Sequence, residues 1–370
     1  MLRPALAFDI CQSLFILLSW STTALIVGSV SQDSGSRHVP PGRNFIRILE
    51  MNEFTEIPVL DLAPLIHGED TTKLSLEFLE AYGKTGFGYV INHGVDPDVR
   101  TAVFAASKRF HALSEAAKGA IALDKNHRGY IAINTSTDVN SDLAKVTKPN
   151  QSASFMMMRE DAEVDPNVYL SGPNQWPELD GFRDTCETYA KAMTGLGHKL
   201  LGLALGAIGV EDRAILAAFQ EPTIWLRLLH YPPQPPQAPD DLFGSAPHKD
   251  FGVLTLLAQD DVGGLQVQTP SGHWVDAPPI EDAFVVNVGD MLHRLSNGKL
   301  LSTPHRVINT SGRERYSVPF FFDPHVSADI APLPGTGRAE FAPLNFGEFL
   351  RSELEASYEA HQDDTSDSEP

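Results

Sequence analysis

Residues 283–322 read AFVVNVGDMLHRLSNGKLLSTPHRVINTSGRERYSVPFFF. Three runs rich in β-branched and aromatic residues, AFVVNV, TPHRVIN and RYSVPFFF, are separated by Gly-, Asn- and Ser-rich breaks, the pattern of short strands joined by turns. The same rhythm reaches back to residue 223 through TIWLRLLHY, VLTLLAQ, GGLQVQ and HWVDA, broken by Pro, Gly and Asp. Strands this short, at such regular intervals, predict a β-sandwich or barrel of the jelly-roll kind. Gly263-Gly264 and Asn297-Gly298 read as turn residues rather than phosphate loops.

Upstream the pattern is mixed. IPVLD at 57–61 reads as a short strand, 72–84 as a helix, and GFGYVINHGV at 86–95 as a strand ending in a turn. A helix is predicted over 97–118, with Val103, Phe104, Phe110 and Leu113 on its apolar face. Residues 120–175 read as irregular, and 177–207 as a long helix with Tyr189, Met193, Leu196, Leu200 and Leu203 at helical spacing. The expected organisation is a non-domain extension at 1–50, an N-terminal region at 51–175, a helix plus jelly-roll core at 176–345, and an acidic tail at 346–370 whose end, EASYEAHQDDTSDSEP, reads as disordered.

The extension carries an apolar run, QSLFILLSWSTTALIVGSV at 12–30, behind Arg3. It reads either as part of an upstream start with Met51 as the true initiator, or as a signal or membrane anchor. Against the second reading, Asp9 and Cys11 precede the run and no clean small-x-small cleavage site follows it. The formal charge is -20, and because residues 1–50 carry four Arg against Asp9, Asp33 and Glu50, the negative balance lies wholly after residue 50 and repels nucleic acid and anionic membrane surfaces. Only Cys11 and Cys186 are present, too few for a disulfide framework, and a reducing cytoplasm fits. The expected partner is a small-molecule substrate, with no nucleic acid and no membrane unless 12–30 is an anchor.

The chemistry lies in the β half. His248-Lys249-Asp250 puts an imidazole and a carboxylate two residues apart, so in an extended strand both project from one face. His305, on a strand candidate 55 residues after Asp250, supplies a third ligand type. Two His and one carboxylate on one face leave the opposite face open, the arrangement of non-haem iron(II) oxygenases. An isolated H-x-D is common and carries little by itself. Arg315 and Ser317 add the discriminating feature, because a guanidinium and a hydroxyl on one strand face can clamp a carboxylate.

These segments resemble the isopenicillin N synthase-like branch of the iron(II)- and 2-oxoglutarate-dependent dioxygenases, from IPVLDLAPL at 57 to PFFFDP at 319–324. GFGYVINHGV resembles that family's N-terminal strand and turn, HKDFGVLTLLAQDDVGGLQV its first ligand segment, and TPHRVIN with RYSVPFFF its second ligand and R-x-S clamp. The resemblance implies a mainly β chain with flanking helices around a double-stranded β-helix (jelly-roll) core. It implies Fe(II) on His248, Asp250 and His305, and the far carboxylate of 2-oxoglutarate on Arg315 and Ser317. With O2 as co-substrate, it implies oxidation of a small organic molecule with release of succinate and CO2, hydroxylation by default. Ethylene formation, or turnover without 2-oxoglutarate, is the alternative within the family. One departure is that the family's Asn-x-Tyr-Pro segment is here Leu229-His230-Tyr231-Pro232, so Tyr231 matches as a co-substrate contact and the Asn is absent.

Other residues attract less. His293 reads as structural, His93 as a turn residue bonding backbone, and His273 and Asp276 as facing opposite ways. Met156-Met157-Met158 with Phe155 fit either a substrate cavity or core packing. Phe320 and Phe322 share a strand face. A zinc hydrolase would need a positioned acid/base, and no H-E-x-x-H is present. A non-catalytic metal-binding barrel would be free to lose the triad and clamp that this chain keeps.

Overall fold

Strand β1 (Val59–Asp61) pairs in parallel with β2 (Phe87–Ile91). Between them lie α1 (Ala63–His67) and α2 (Thr72–Lys84), whose Leu74, Phe78, Ala81 and Tyr82 recur at helical spacing and form the buried stripe. In the computed structural model, residues 53–136, 143, 148–235, 237–239 and 241–357 are described. The readings of residues 1–50, including the run at 12–30, and of 358–370 lie outside the described residues.

Asp96 starts α3 (Pro97–His111) by accepting from Asp98 N, with Pro97 at the first helical position. The helix expected to run to 118 stops at His111. Ser114 turns extended and caps a separate turn, α4 (Glu115–Gly119), by accepting from Ala117 N. The stretch expected to be irregular holds two strands, β3 (Gly129–Ile131) and β4 (Ala153–Met158). ASFMMM is buried on both faces, so it lacks the alternation by which a half-exposed strand is recognised. Helix α5 (Phe182–Ala207) starts later than expected, after Pro177 and a left-handed Gly181. A 3₁₀ turn (Ala214–Phe219) follows.

The β half contains β5 (Thr223–Tyr231), β6 (Ser245–His248), β7 (Leu254–Gln259), β8 (Leu265–Gln268), β9 (Trp274–Asp276) and β10 (Phe284–Val288). After these come α6 (Asp290–Leu295), β11 (His305–Val307), β12 (Arg315–Asp323), β13 (Asp329–Ile330), β14 (Leu344–Asn345) and α7 (Phe346–Ser357). An eight-stranded sheet runs β1-β2-β10-β7-β12-β5-β4-β3, and a four-stranded sheet runs β6-β11-β8-β9. This is the mainly β, helix-flanked jelly roll expected from the strand pattern. Strands from before residue 175 and after it share the larger sheet.

The segment expected to be an acidic tail from 346 opens as α7, with Phe346, Leu350 and Leu354 buried at four-residue spacing and charged residues between them. Among the described residues no helix is long and apolar enough to cross a membrane. Cys186 is a buried free thiol, and burial pushes its pKa far up, so it is unreactive.

Period-two alternation divides the larger sheet into two surfaces. On β12, Val318, Phe320 and Phe322 join Leu226 and Leu228 of β5 and Leu254 and Leu256 of β7 in the main core with α2, α3 and α5. Arg315, Ser317, Pro319 and Phe321 face the other way, toward a cavity between the sheets. A second apolar cluster, including Phe87, Tyr89, Leu265, Val267 and Val307, joins the sheets beside that cavity.

Helix α5 lies so close to the sheet that a Cβ on Gly197 would fall 2.7 Å from the Phe322 ring, whereas one on Gly202 would meet nothing within 4 Å. Gly202→Ala should stabilise by about 0.5–1 kcal/mol through helix propensity. Gly197→Ala should destabilise by about 1–3 kcal/mol through overpacking. Urea midpoints decide the point, and equal stabilisation by both would contradict this packing.

Candidate functional site

His248 ends β6 and His305 begins β11, and the two are direct partners across this antiparallel pair. Their rings lie 4.2 Å apart between centroids. His248 Nδ1 bonds the Ala246 carbonyl at 2.7 Å, and His305 Nδ1 approaches the Thr303 carbonyl at 3.3 Å. Donation to these carbonyls places a proton on each Nδ1 and turns each Nε2 toward Asp250. Phe87 packs edge-on against His305 and fixes its plane.

Asp250 was expected to share a strand with His248. β6 instead ends at His248, and Asp250 lies in the following non-strand segment. That segment is pinned to the start of α6: Asp290 N donates to the Asp250 carbonyl at 2.8 Å and Met291 N to the Gly252 carbonyl at 2.9 Å. Gly289 is required at this crossing, since a Cβ there would sit 2.3 Å from the Gly252 oxygen.

Asp250 Oδ2 accepts from Thr255 Oγ1 at 2.5 Å and Asn287 Nδ2 at 2.7 Å. Oδ1 then faces His248 Nε2 at 3.7 Å and His305 Nε2 at 3.8 Å. Burial alone would raise the Asp250 pKa. In the metal-free site, positive charge on His305 and His248 when those rings are protonated, with the Asn287 and Thr255 bonds, outweighs it and holds the carboxyl below its ordinary range. The three donor atoms lie within 4.8 Å of one another, compact enough for a single cation. Two neutral imidazoles and a carboxylate suit a divalent first-row metal and leave positions open for other ligands.

These residues border a cavity of about 520 Å³ that also receives Arg315, Ser317 and Tyr231. Arg315 pairs with Tyr231 across β12 and β5, its guanidinium carbon 4.6 Å above the phenol ring. Arg315 is fully buried, with Nε donating to the Gly263 carbonyl at 2.5 Å and Nη2 to Gln259 Oε1 at 3.2 Å. Nη1 is buried with no partner. In the departing Leu229-His230-Tyr231 segment, Leu229 and Tyr231 face inward, while His230 stacks on Tyr316 outside the cavity.

Asp323, at the end of β12, accepts from Val253 N at 2.6 Å, and Gly252 lies so near that a Cβ would come within 2.1 Å of its Oδ1. Burial pushes the Asp323 carboxyl up to about 7, with the Val253 bond opposing and the Asp250 charge adding. Thr255, Asn287, Asp323 and Arg227 were not expected from the sequence. Three of them carried a signal: Asn287 is the polar position inside the apolar run AFVVNV, Arg227 is the charged one inside TIWLRLLHY, and Asp323 closes PFFFD. Of the methionines, Met156 lines the cavity and Met157 belongs to the core.

The set-aside residues stay apart from this site. His293 Nδ1 bonds the Leu300 carbonyl at 2.6 Å. His93 accepts from Val95 N and contacts the Asp282 carbonyl. His273 bonds Ser271, while Asp276 bonds Gln266.

Comparison with known proteins gives a consistent neighbourhood. Residues 223–324 match the model of the 2OG-Fe(II) oxygenase superfamily, and 57–179 that of the non-haem dioxygenase in morphine synthesis N-terminal region. The 2-oxoglutarate-Fe(II) type oxidoreductase hxnY of Emericella nidulans is 34% identical over 325 residues, covering 82% of this chain and 91% of the relative. A full-length Neurospora crassa protein, solved in complex with alpha-KG and thymine, is 30% identical at a TM-score of 0.73, covering 82% and 98%. The structure of JOX2 with 2OG, Fe and JA is 26% identical at a TM-score of 0.68, covering 84% and 91%.

Removing a ligand should cost more than removing a group that orients one. His248→Ala, Asp250→Ala and His305→Ala should each abolish tight Fe(II) or Mn(II) binding with the fold retained. Asn287→Ala should weaken it about 10–100-fold, and His293→Ala should leave it unchanged. Metal titrations of the five variants test this; iron lost with His293 and kept without His305 would contradict it.

The Asp323 pKa of about 7 lies above its ordinary 3.8. Stability from a group raised in this direction is fully present below the unfolded value and is lost as pH rises through the folded one. In metal-free protein, Asp323→Asn should therefore melt close to wild type near pH 4 and increasingly above it towards pH 8. A melting difference that is flat with pH would exclude a buried Asp323 of this kind.

Proposed function

The chain belongs to the 2OG-Fe(II) oxygenase superfamily, and from that membership we propose that His248, Asp250 and His305 hold its iron while Arg315, Ser317 and Tyr231 receive the far carboxylate of 2-oxoglutarate. The enzyme is an Fe(II)- and 2-oxoglutarate-dependent dioxygenase. The observation that carries the residue assignment is the buried, unpartnered Nη1 of Arg315, a residue that borders the same cavity as the three converging donor atoms. A buried guanidinium without an anion carries a large desolvation cost, and a carboxylate from the co-substrate removes it.

When bound, iron(II) and 2-oxoglutarate supply the oxidation: O2 is consumed, the 2-oxo acid leaves as succinate and CO2, and a substrate C–H is oxidised. The chain's own work is positional. Thr255 and Asn287 hold Asp250 so that one oxygen faces the two histidines. The Ala246 and Thr303 carbonyls hold the His248 and His305 rings by Nδ1 so that Nε2 points toward Asp250. Gln259 is itself steadied by donating to the Ala277 carbonyl at 3.2 Å, and it aligns Arg315. Tyr231 gives the guanidinium a π face, and Ser317, two residues along the same strand face, adds a hydroxyl.

A small-molecule substrate fits a cavity of this size, which borders the apolar side chains of Leu257, Pro319 and Phe321. Thymine in the complex of the Neurospora crassa protein and JA in that of JOX2 are consistent with that class. Hydroxylation is the outcome favoured. A cytoplasmic setting accords with the buried free thiol of Cys186.

Arg315→Gln should weaken 2-oxoglutarate binding by about one and a half to three and a half orders of magnitude, from about 2–5 kcal/mol for a desolvated charge contact, while iron affinity persists. Ser317→Ala should cost about 1 kcal/mol. Calorimetry under anaerobic conditions reads the first effect, and succinate release in air reads turnover. Unchanged affinity in Arg315→Gln, or full substrate oxidation with 2-oxoglutarate omitted, would overturn the assignment.

A further inference from the structure

The inner face of β5 carries a second cation that the mechanism above does not use. Trp225, Arg227, Leu229 and Tyr231 alternate along one face and all border the cavity. Arg227 lies four residues from Tyr231, about 13 Å along the strand at roughly 3.3 Å per residue. The cavity thus borders two guanidiniums: Arg315 beside Tyr231, and Arg227 beside Met156, its partner on β4.

Arg227 is poorly matched within the chain. Nη2 donates to Ser154 Oγ at 3.1 Å, Nε is buried with no partner, and no ion pair of Arg227 occurs among the described residues. Ser154 stands opposite Leu229, between Arg227 and Tyr231, so this bond holds the guanidinium over the inner face of β5. Trp225 and Phe321, partners across β5 and β12, supply flat apolar walls beside it, with Phe349 of α7 also bordering the cavity. A partly desolvated guanidinium with an unused N–H, next to aromatic walls and apart from the co-substrate clamp, suits one kind of ligand.

We propose that Arg227 anchors the substrate by binding the carboxylate of a small, flat organic acid, whose ring lies toward Trp225 and Phe321 and whose oxidised C–H faces the metal ligands. The proposal rests on the assignment of Arg315, not Arg227, to 2-oxoglutarate. Discrimination follows from the unpaired donor: a carboxylate satisfies both the charge and the free N–H, while the corresponding amide leaves the charge unmatched. Ser154 acts as a positioning residue for the guanidinium.

The test uses the full chain with Fe(II) and saturating 2-oxoglutarate under anaerobic conditions. Benzoate, cinnamate and 2-naphthoate are compared with their primary amides by calorimetry. At least one acid should bind at millimolar affinity or better, and its amide about 30-fold or more weaker. Arg227→Gln should bring acid and amide within about threefold, Arg227→Lys should restore part of the preference, and Ser154→Ala should reduce it by less than Arg227→Gln does. All three variants should keep wild-type 2-oxoglutarate affinity and melting temperature. Amides bound as well as acids, no acid bound at millimolar concentration, or an acid preference surviving in Arg227→Gln would each overturn the proposal, with the co-substrate reading intact if 2-oxoglutarate still binds. Loss of 2-oxoglutarate in Arg227→Gln but not in Arg315→Gln would overturn both.

Discussion

Asp250 is a carboxylate buried between two imidazoles, and burying a charge this deeply sets much of what surrounds it. Left unpaired, such a group would take up a proton. Asn287 and Thr255 satisfy one oxygen, and that fixes the rotation of the group and presents the other oxygen to the histidines. The orienting residues come from β10 and β7 of the large sheet, while the histidines come from β6 and β11 of the small one. The site therefore exists only where the two sheets face each other, and packing that spaces the sheets also spaces the donors.

The same constraint explains the two faces of the large sheet. Its outer face buries aromatic and aliphatic side chains under α2, α3 and α5 and supplies most of the hydrophobic stabilisation. That leaves the inner face able to carry Arg315, Arg227 and Asp323 around a cavity instead of filling it. Arg315 and Asp323 are buried and Arg227 is half-buried, and each is costly alone. Two of them retain unsatisfied N–H donors, which is where ligands of opposite charge belong.

How much of this could be read from the residues differs by element. The cluster of His248, Asp250 and His305 was legible from its residue types, and the i, i+2 rule correctly put Arg315 and Ser317 on one face of β12, but it did not place Asp250, which lies beyond the end of β6. The jelly roll was legible because TIWLRLLHY and RYSVPFFF alternate against turn residues. β4 was not, because ASFMMM is buried on both faces and its pattern has no period. The turn that carries Asp250 was not either, since its geometry is set by contacts of Gly252 and Gly289 that are distant in sequence. The helix at 346–357 was hidden by its acidic composition, although Phe346, Leu350 and Leu354 already stood at helical spacing.

On the proposed assignment, the metal ligands and the Arg315 clamp together receive one 2-oxo diacid. Anaerobic optical titration tests it most directly, because a 2-oxo acid chelating iron(II) through its keto and carboxylate oxygens gives a visible charge-transfer absorption. 2-Oxoglutarate added to the iron-loaded protein should develop this absorption with one equivalent, and 2-oxobutyrate, which lacks the far carboxylate, only at much higher concentration. Absence of the absorption, or equal affinity for the two acids, would contradict it.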